Sequence, residues 1–318
     1  MMHISKKIYI GLTMFFLNLF SFYFLFYLDK NYDFSFFVYF CLFLILIFIF
    51  QGSKEILNLQ KPKKEKKNFY PFIFLIFFFN FFIFVSIIIN AFQKNNILNL
   101  GEKVQNTNLF QTLNFLINSE FFLFYFLLFI FFLFIFFLFK YDFKINNLSY
   151  IFLTLVYIVF FSSCFFSLIL LNYQWYLYIF IITITYDSFS YFGGNLFGKN
   201  YLCSKLSPKK TWEGFFCGFL FTLLMALLFF IDKLTNLKSY CFFVFFIFIS
   251  CIISQFGDLI ASKIKRNFNL KDFNNILPGH GGLIDRLDSL LFLSFFIVIF
   301  ILSPFSFFNE EILNIIKA

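Results

Sequence analysis

The sequence predicts an all-α polytopic membrane protein with about nine transmembrane helices. Hydrophobic residues make up 61% of the 318 residues, and the mean hydropathy is +0.87. Several apolar runs exceed the length of about 18 residues that marks a membrane-spanning helix. The charged residues, only 13% of the chain, gather in the short segments between these runs. A soluble domain of this size does not have such a composition, so the membrane class follows from composition and pattern together.

Nine apolar runs are bounded by charged or turn-forming residues, and we read each of them as a helix. They lie at about residues 7–28, 34–51, 70–92, 120–139, 149–171, 175–197, 213–231, 239–260 and 286–307. The second and seventh are short for a membrane span, so a count of eight helices stays open. The first run resembles a signal peptide, but its apolar part is longer than the roughly 7–15 residues of a signal core. No small-residue cleavage site follows it, so we expect a retained helix.

The lysine and arginine residues predict the orientation in the membrane. Most of the 25 fall in one set of alternating segments, which are the N-terminus and the connections 52–69, 140–148, 198–212 and 261–286. Segments rich in lysine and arginine stay on the cytoplasmic side. We therefore expect a cytoplasmic N-terminus and an outside C-terminus, in a bacterial inner membrane. The polar connections that carry the candidate site then face the cytoplasm.

The net charge of +9 does not indicate a nucleic-acid partner, because membrane topology already explains the position of the cations. The basic segment Lys61–Asn68 fits the same explanation, with attraction to anionic lipid as the alternative. The six cysteines show no CxxC spacing, and most of them lie in or beside apolar runs. We interpret them as small core residues rather than as disulfides or zinc ligands.

The polar segment at residues 262–288 is the densest in charge and lies between two apolar runs. Its sequence is SKIKRNFNLKDFNNILPGHGGLIDRLD. The run Pro278–Gly282 predicts a turn in which the backbone approaches a ligand closely, because glycine lacks a Cβ atom. Clustered cations, a histidine and carboxylates beside such a turn indicate phosphate and metal chemistry. The sequence has no P-loop, GxSxG or HExxH motif, which argues against ordinary NTPases, serine hydrolases and zinc proteases.

A second polar segment joins the sixth and seventh predicted helices. Asp187 precedes it inside an apolar run, where a carboxylate costs about 2.5–3.5 kcal/mol and so needs a partner or a task. Ser207 followed by Pro208 is predicted to be a helix N-cap, which places Lys209 and Lys210 in the first helical turn. Cations there oppose the helix dipole, and a bound anion would offset that conflict. The alternative is two lysines that extend to the cytoplasmic boundary of the membrane.

Three aspartates near the ends of the last two predicted helices are candidate magnesium ligands. Asp258 ends the eighth helix, while Asp285 and Asp288 begin the ninth and share one helical face. Mg²⁺ is usually held by one or two carboxylates together with substrate phosphates, which the neighbouring cations would also bind. The structural alternative is an acidic pair at a helix N-terminus, salt-bridged to Arg286. His280 is either a donor to a phosphate oxygen or a residue that holds the turn.

These two segments resemble the signature of the phosphatidate cytidylyltransferase family, also called the CDP-diacylglycerol synthases. The resemblance rests on S-x-I-K-R-x4-K-D, on L-P-G-H-G-G-L-x-D-R-L-D and on the stretch SPKKTWEG. It covers about residues 187–289 and is specific, because it combines fixed positions from both segments. Residues 1–148 carry no motif, and the resemblance implies that residues 149–318 form the catalytic part of a single membrane domain.

The resemblance implies an integral-membrane enzyme that converts CTP and phosphatidate to CDP-diacylglycerol and pyrophosphate. Mg²⁺ would be the cofactor, and a second cation and a homodimer are left open. The implied metal ligands are Asp258, Asp285 and Asp288, and the implied catalytic residues are Asp258, Asp285, Lys265, Arg266 and His280. The residues assigned to substrate binding are Lys209, Lys210, Ser262, Lys271, Asp272, Gly281, Gly282, Arg286 and Asp187.

One position, Asn274, departs from the family pattern, which has a small residue there, usually glycine. Asparagine tolerates left-handed backbone geometry better than other non-glycine residues do. We therefore expect the turn at Asn274 to survive.

Two other functions stay open on the sequence alone. A CTP-dependent kinase of a polyprenol or similar lipid alcohol would need the same charged groups but would transfer the γ-phosphoryl group. A membrane transporter would also place Asp187 and Asp258 at membrane depth. The absence of internal sequence repeats and the charge concentrated on one side argue against the transporter.

Overall fold

The computed structural model describes the chain in several continuous ranges. These are residues 36–57, 151–204, 206–234, 236–274 and 281–302, with a few isolated positions besides. The predicted helices at 7–28, 70–92 and 120–139 lie outside these ranges. The count of nine helices therefore stays a prediction.

The described part is helical apart from one short hairpin and the connections between elements. The six α-helices, numbered in chain order, are α1 (Phe36–Leu57), α2 (Phe161–Leu171), α3 (Tyr173–Phe197), α4 (Trp212–Phe230), α5 (Leu237–Asn267) and α6 (Ile284–Leu302). A π-helical turn, Leu155–Phe160, precedes α2, and a 3₁₀ turn, Ile231–Lys233, follows α4. The hairpin strands are β1 (Tyr201–Cys203) and β2 (Ser207–Thr211). Each predicted helix that falls in the described ranges is confirmed as helical.

Four helical stretches in the described part are long and apolar enough to cross a membrane. They are Tyr39–Leu57, Ile151–Ile169, Trp212–Lys233 and Leu237–Asn267. Each has the length and composition that a bilayer requires of a spanning helix. The chain is an integral membrane protein.

Two helices continue beyond the ends that hydropathy predicts. The helix α1 ends at Leu57 rather than near residue 51, and α5 ends at Asn267 rather than near residue 260. Hydropathy marks where a helix leaves the apolar region, but the helix itself does not need to stop there. Lysine and arginine are good helix formers and are favoured in a last helical turn, where Lys265 and Arg266 lie in α5.

The predicted helix N-cap at Ser207 is wrong. Ser207–Thr211 is a strand that pairs antiparallel with Tyr201–Cys203, and Thr211 is the residue that caps α4. The Thr211 side chain accepts a hydrogen bond from the Gly214 backbone N–H at 3.1 Å. Threonine is also a favoured N-cap residue, although less so than serine, and proline is tolerated in an edge strand, so the local sequence allows both arrangements. Lys209 and Lys210 therefore lie on a strand, and no conflict with a helix dipole arises.

The described residues form two compact units. The first contains the described residues up to Leu171 together with Phe273–Ile284. In it, α1 packs against the π-helical turn and α2, with Ile49, Ile158 and Phe166 fully buried. The second unit contains Asn172–Asp272 and the described residues from Asp285 onward.

In the second unit, α3 is the central helix and contacts both α4 and α5. Tyr178 on α3 is fully buried, stacks on Phe246 with ring centroids 5.5 Å apart, and shares a hydrogen bond with Ser250 at 2.9 Å. Glycines allow α3 and α4 to approach closely. A Cβ atom added at Gly214 would lie 2.6 Å from the backbone oxygen of Ser190.

Gly214→Ala is therefore expected to destabilise the protein. The new methyl group meets a backbone oxygen, which moves only if α3 moves, and overpacking of this kind costs about 1–3 kcal/mol. Thermal unfolding of the detergent-solubilised protein should show a lower midpoint. Gly52→Ala is the control, because its Cβ would meet only the Ile158 and Ile284 side chains at 3.3–3.5 Å. Equal midpoints for both variants would contradict the close contact of α3 with α4.

Candidate active site

The second unit contains a cavity of about 330 Å³ that is lined by charged side chains. This volume is within the range of small-molecule sites. Five carboxylates and four cations line it: Asp187 on α3, Lys209 and Lys210 on β2, Asp258 and Lys265 on α5, Asp272 after α5, and Asp285, Arg286 and Asp288 on α6. Nine of the residues singled out from the sequence are thus brought together around one cavity.

Two lysine–aspartate pairs join the elements around this cavity. Lys210 Nζ on β2 lies 2.5 Å from Asp258 Oδ2 on α5. Lys265 Nζ on α5 lies 2.6 Å from Asp285 Oδ1 on α6, and these two side chains are only 10% and 5% exposed. Removing one partner of a buried pair leaves the other charge uncompensated, which is strongly unfavourable. The Lys265–Asp285 pair therefore fixes the start of α6 against the end of α5.

A serine connects two more of the five carboxylates, Asp187 and Asp288. The Ser289 backbone N–H donates to Asp288 Oδ1 at 2.8 Å, and its hydroxyl donates to Asp187 Oδ2 at 3.3 Å. Asp288 is 4% exposed. Carboxylates from α3 and α6 are thus held near each other, and a bound cation would relieve the repulsion between them when both are ionised.

The hairpin that carries Lys209 and Lys210 is fixed at the cavity by hydrogen bonds between Asn200, which precedes it, and the start of α4. Asn200 accepts a hydrogen bond from the Trp212 backbone N–H at 3.0 Å. The Asn200 side chain in turn donates to the Glu213 carboxylate at 2.9 Å. Both side chains line the cavity, but Lys210 is engaged with Asp258, whereas Lys209 is exposed to solvent.

Several predicted site residues do not line the cavity. Ser262 is buried, with its hydroxyl 3.5 Å from Asp258 Oδ1. Arg266 is exposed and donates to the Leu270 backbone oxygen at 2.8 Å, and Lys271 is exposed. Gly281 and Gly282 belong to the first unit, and His280 lies outside the described residues.

The left-handed residue of this region is Asn269 rather than Asn274. Its φ of 55° makes it the one non-glycine residue with positive φ among those that the structure describes. Asn269 lies one residue beyond Phe268, the C-cap of α5, where left-handed geometry is common at a helix C-terminus. Asn274 itself does not have positive φ, so it needs no tolerance of left-handed geometry, and the survival of the turn there stays a prediction.

Sequence reasoning missed Gln255, which also lines the cavity. Gln255 is 5% exposed and accepts a hydrogen bond from the Tyr186 hydroxyl at 2.7 Å. The signal was available, because a lone glutamine three residues before Asp258 shares its helical face and needs a polar partner in an apolar run. Tyr191 and Phe215 also line the cavity, but aromatic residues carry no signal in a chain with 67 phenylalanines.

Comparison with known proteins identifies the family. The model of the cytidylyltransferase family matches residues 10–303. The chain belongs to the cytidylyltransferase family. This match confirms the resemblance seen in the two polar segments and extends it well beyond them.

Three curated relatives of this chain are each named phosphatidate cytidylyltransferase. A phosphatidate cytidylyltransferase of Bacillus subtilis is 35% identical over 170 residues, which cover 52% of this chain and 62% of the relative. Those of Rickettsia felis and Staphylococcus haemolyticus are each 42% identical, over 35% and 36% of this chain and 52% and 44% of the relative. The chain thus spans about half, and at most 62%, of the length of these relatives.

Proposed function

We propose that this chain converts CTP and phosphatidate to CDP-diacylglycerol and pyrophosphate. The observation that carries the proposal is the charged cavity, in which the two motif segments meet and pair lysines with aspartates. The names of the relatives support the same reaction. A cavity that offers both cations and carboxylates suits a substrate whose phosphates are neutralised partly by protein and partly by metal.

The proposed reaction needs no covalent intermediate with the protein. An oxygen of the lipid phosphate attacks the α-phosphorus of CTP and forms the new P–O bond. The bond from the α-phosphorus to the oxygen that bridges it to the β-phosphorus breaks, and its electron pair leaves on pyrophosphate. Catalysis then depends on holding the two phosphates in line and on neutralising the charge that develops.

The cations of the cavity would do most of this work. Lys209 and Arg286 are exposed at its edge and suit the first contact with a polyphosphate from water. Lys210 and Lys265 are more deeply placed and would neutralise the oxygens around the reacting phosphorus. Fixed cations of this kind are most effective where water is excluded.

The carboxylates fit the magnesium ion that the family implies. Among the residues that the structure describes, no three His, Cys, Asp or Glu side chains are gathered into a ready-made metal site. Mg²⁺ does not require one, because one or two carboxylates together with substrate phosphates usually suffice. Asp258 and Asp285 would hold the ion, with Asp288 as a further oxygen donor. When bound, it would neutralise charge on the phosphate oxygens. A second cation stays open.

The reaction is tested by analysis of the lipid product. Purified protein is incubated with Mg²⁺, with phosphatidate or, separately, with a polyprenol, and with CTP that is labelled either in cytidine or in the γ-phosphate. Label from cytidine in the lipid, with release of labelled pyrophosphate, is the expected result. Transfer of the γ-label to a lipid alcohol would indicate the kinase instead. If metal-dependent consumption of CTP does not occur, neither enzyme assignment holds.

We further propose that the active site faces the cytoplasm, with CTP arriving from water and the lipid from the bilayer. A cysteine placed in the connection 61–68, in a variant without native cysteines, should then react with an impermeant thiol reagent only from the cytoplasmic side. A cysteine at Asn309 should react only from the outside, because the distribution of lysine and arginine requires an odd number of spans. Labelling of both from the same side would contradict the nine-helix topology.

A further inference from the structure

Glu55 is a buried carboxylate that the proposed reaction does not use. It lies on α1, is 1% exposed, and belongs to the first unit together with residues 273–284. Its two carboxylate oxygens accept hydrogen bonds from consecutive backbone N–H groups. Oε1 accepts from Leu283 N at 2.9 Å, and Oε2 accepts from Ile284 N at 3.1 Å.

The place of these two hydrogen bonds explains why a carboxylate is stable there. The helix α6 begins at Ile284, and the first N–H groups of a helix have no acceptor within it. A carboxylate at this end satisfies them and interacts favourably with the helix dipole. Hydrogen bonds to an ionised acceptor are also stronger than neutral ones. Glu55 therefore serves as an N-terminal cap that is supplied by a distant part of the chain.

The Glu55 carboxylate also leaves no room for a side chain at Gly282. A Cβ atom at this position would lie 2.6 Å from Glu55 Oε2 and 2.9 Å from its Cδ. Contacts this short are not tolerated, so any larger residue would push the carboxylate away from the two N–H groups. The close approach of Glu55 thus requires a glycine at position 282.

We propose that Glu55 is a positioning residue that acts on Asp285 through the backbone of Gly282–Ile284. This inference rests on the proposed function, which gives Asp285 its role. Asp285 follows Ile284 directly, so the orientation of the peptide that Glu55 holds determines the direction in which the Asp285 side chain leaves the backbone. Loss of the cap displaces that carboxylate, and small displacements at a reacting centre reduce rates strongly.

The test compares Glu55→Gln and Glu55→Ala with the wild type. Glutamine keeps the shape but turns one acceptor into a donor that faces an N–H group. We expect kcat to fall about 10-fold for Glu55→Gln and about 100-fold for Glu55→Ala. Loss of a group that orients a metal ligand typically has an effect of this size. KM for CTP should change much less, because the loss lies in positioning rather than in binding. Lys54→Gln, on the neighbouring residue of α1, is the matched control and should keep the wild-type kcat.

Gly282→Ala provides the independent check. Alone it should lower kcat, because its methyl group displaces the Glu55 carboxylate. Added to Glu55→Ala it should lower kcat little further, since the group it displaces is already gone, and such non-additivity is the mark of two coupled residues. Fully additive losses would overturn the proposal. So would Glu55 variants that melt at a lower temperature but keep the wild-type kcat per folded molecule.

Hydrogen exchange separates this inference from the proposed function. Backbone amides in the peptide that contains Leu283 and Ile284 should exchange faster in both Glu55 variants than in the wild type, whatever reaction the protein catalyses. An inactive wild type would count against the proposed function alone, and the exchange comparison would still decide whether Glu55 holds this segment. Unchanged exchange in both variants would overturn the contact and the inference with it.

Discussion

Asp258→Asn and Asp285→Asn are each expected to reduce cytidylyl transfer by about 100-fold or more, because each removes a charge from the proposed metal site. Asparagine is nearly isosteric and keeps one oxygen, so the effect reports the lost charge rather than a lost contact. Both variants should insert into the membrane, but Asp285→Asn should also lose stability because it removes the carboxylate that pairs with buried Lys265, so rates are compared per folded molecule. Raised Mg²⁺ should restore only part of the activity. The measurement is the initial rate of CDP-diacylglycerol formation over a series of Mg²⁺ concentrations.

Asp232→Asn is the control for these variants. Asp232 lies in the 3₁₀ turn after α4, is exposed, and does not line the cavity, so its replacement should leave the rate unchanged. A different result is expected if Asp285 serves only the dipole of α6. The variant would then lose stability, through the dipole of α6 and through the broken pair with Lys265, while turnover per folded molecule stays nearly normal. Normal turnover in Asp285→Asn would therefore contradict metal binding at this residue.

Lys265→Met is expected to have a second large effect. Methionine approximates the length of the lysine side chain but removes the charge that faces Asp285 in a nearly closed environment. The uncompensated carboxylate should destabilise the protein by about 3–5 kcal/mol, the usual cost of breaking a buried pair. In the folded fraction, kcat/KM for CTP should fall by about 100-fold, as on removal of other fixed groups that stabilise developing charge.

Lys263→Met is the matched control for Lys265→Met. Lys263 lies on the same helix two residues earlier, but its side chain is exposed and does not line the cavity. Its replacement should change neither the melting temperature nor kcat/KM beyond a small effect on surface charge. Equal losses for the two variants would show that the cations of α5 act through the general field of the protein rather than through a specific pair.

The sequence predicted the helices of the described part and the charged segments that line the cavity, because both are local properties. Apolar runs locate helices, and a charged residue within an apolar run is costly enough to indicate a functional site. The three aspartates at residues 258, 285 and 288 do line one cavity, as the connection between their helices suggested. Asp187, from a separate segment, lines the same cavity.

Other features depend on contacts between distant residues, which a single sequence does not reveal. The choice between Ser207 and Thr211 as the N-cap is decided by pairing with Tyr201–Cys203 and by Asn200, not by local preference. Likewise, nothing beside Glu55 in the sequence indicates that it contacts the start of α6, more than 200 residues later. The ends of α1 and α5 were misplaced because hydropathy measures membrane depth and not helix length.

The two lysine–aspartate pairs have a consequence for how the two proposed ligands, a phosphate and a metal ion, affect the binding of each other. In the structure each lysine has an aspartate as its counter-ion, so neither charge is available without an exchange. A phosphate that takes over Lys210 or Lys265 frees a carboxylate, and a metal that takes over the carboxylate frees a lysine. Each ligand therefore prepares the site of the other, and by thermodynamic reciprocity each should raise the affinity of the other by the same factor. The site would then bind either ligand weakly alone and both ligands tightly together.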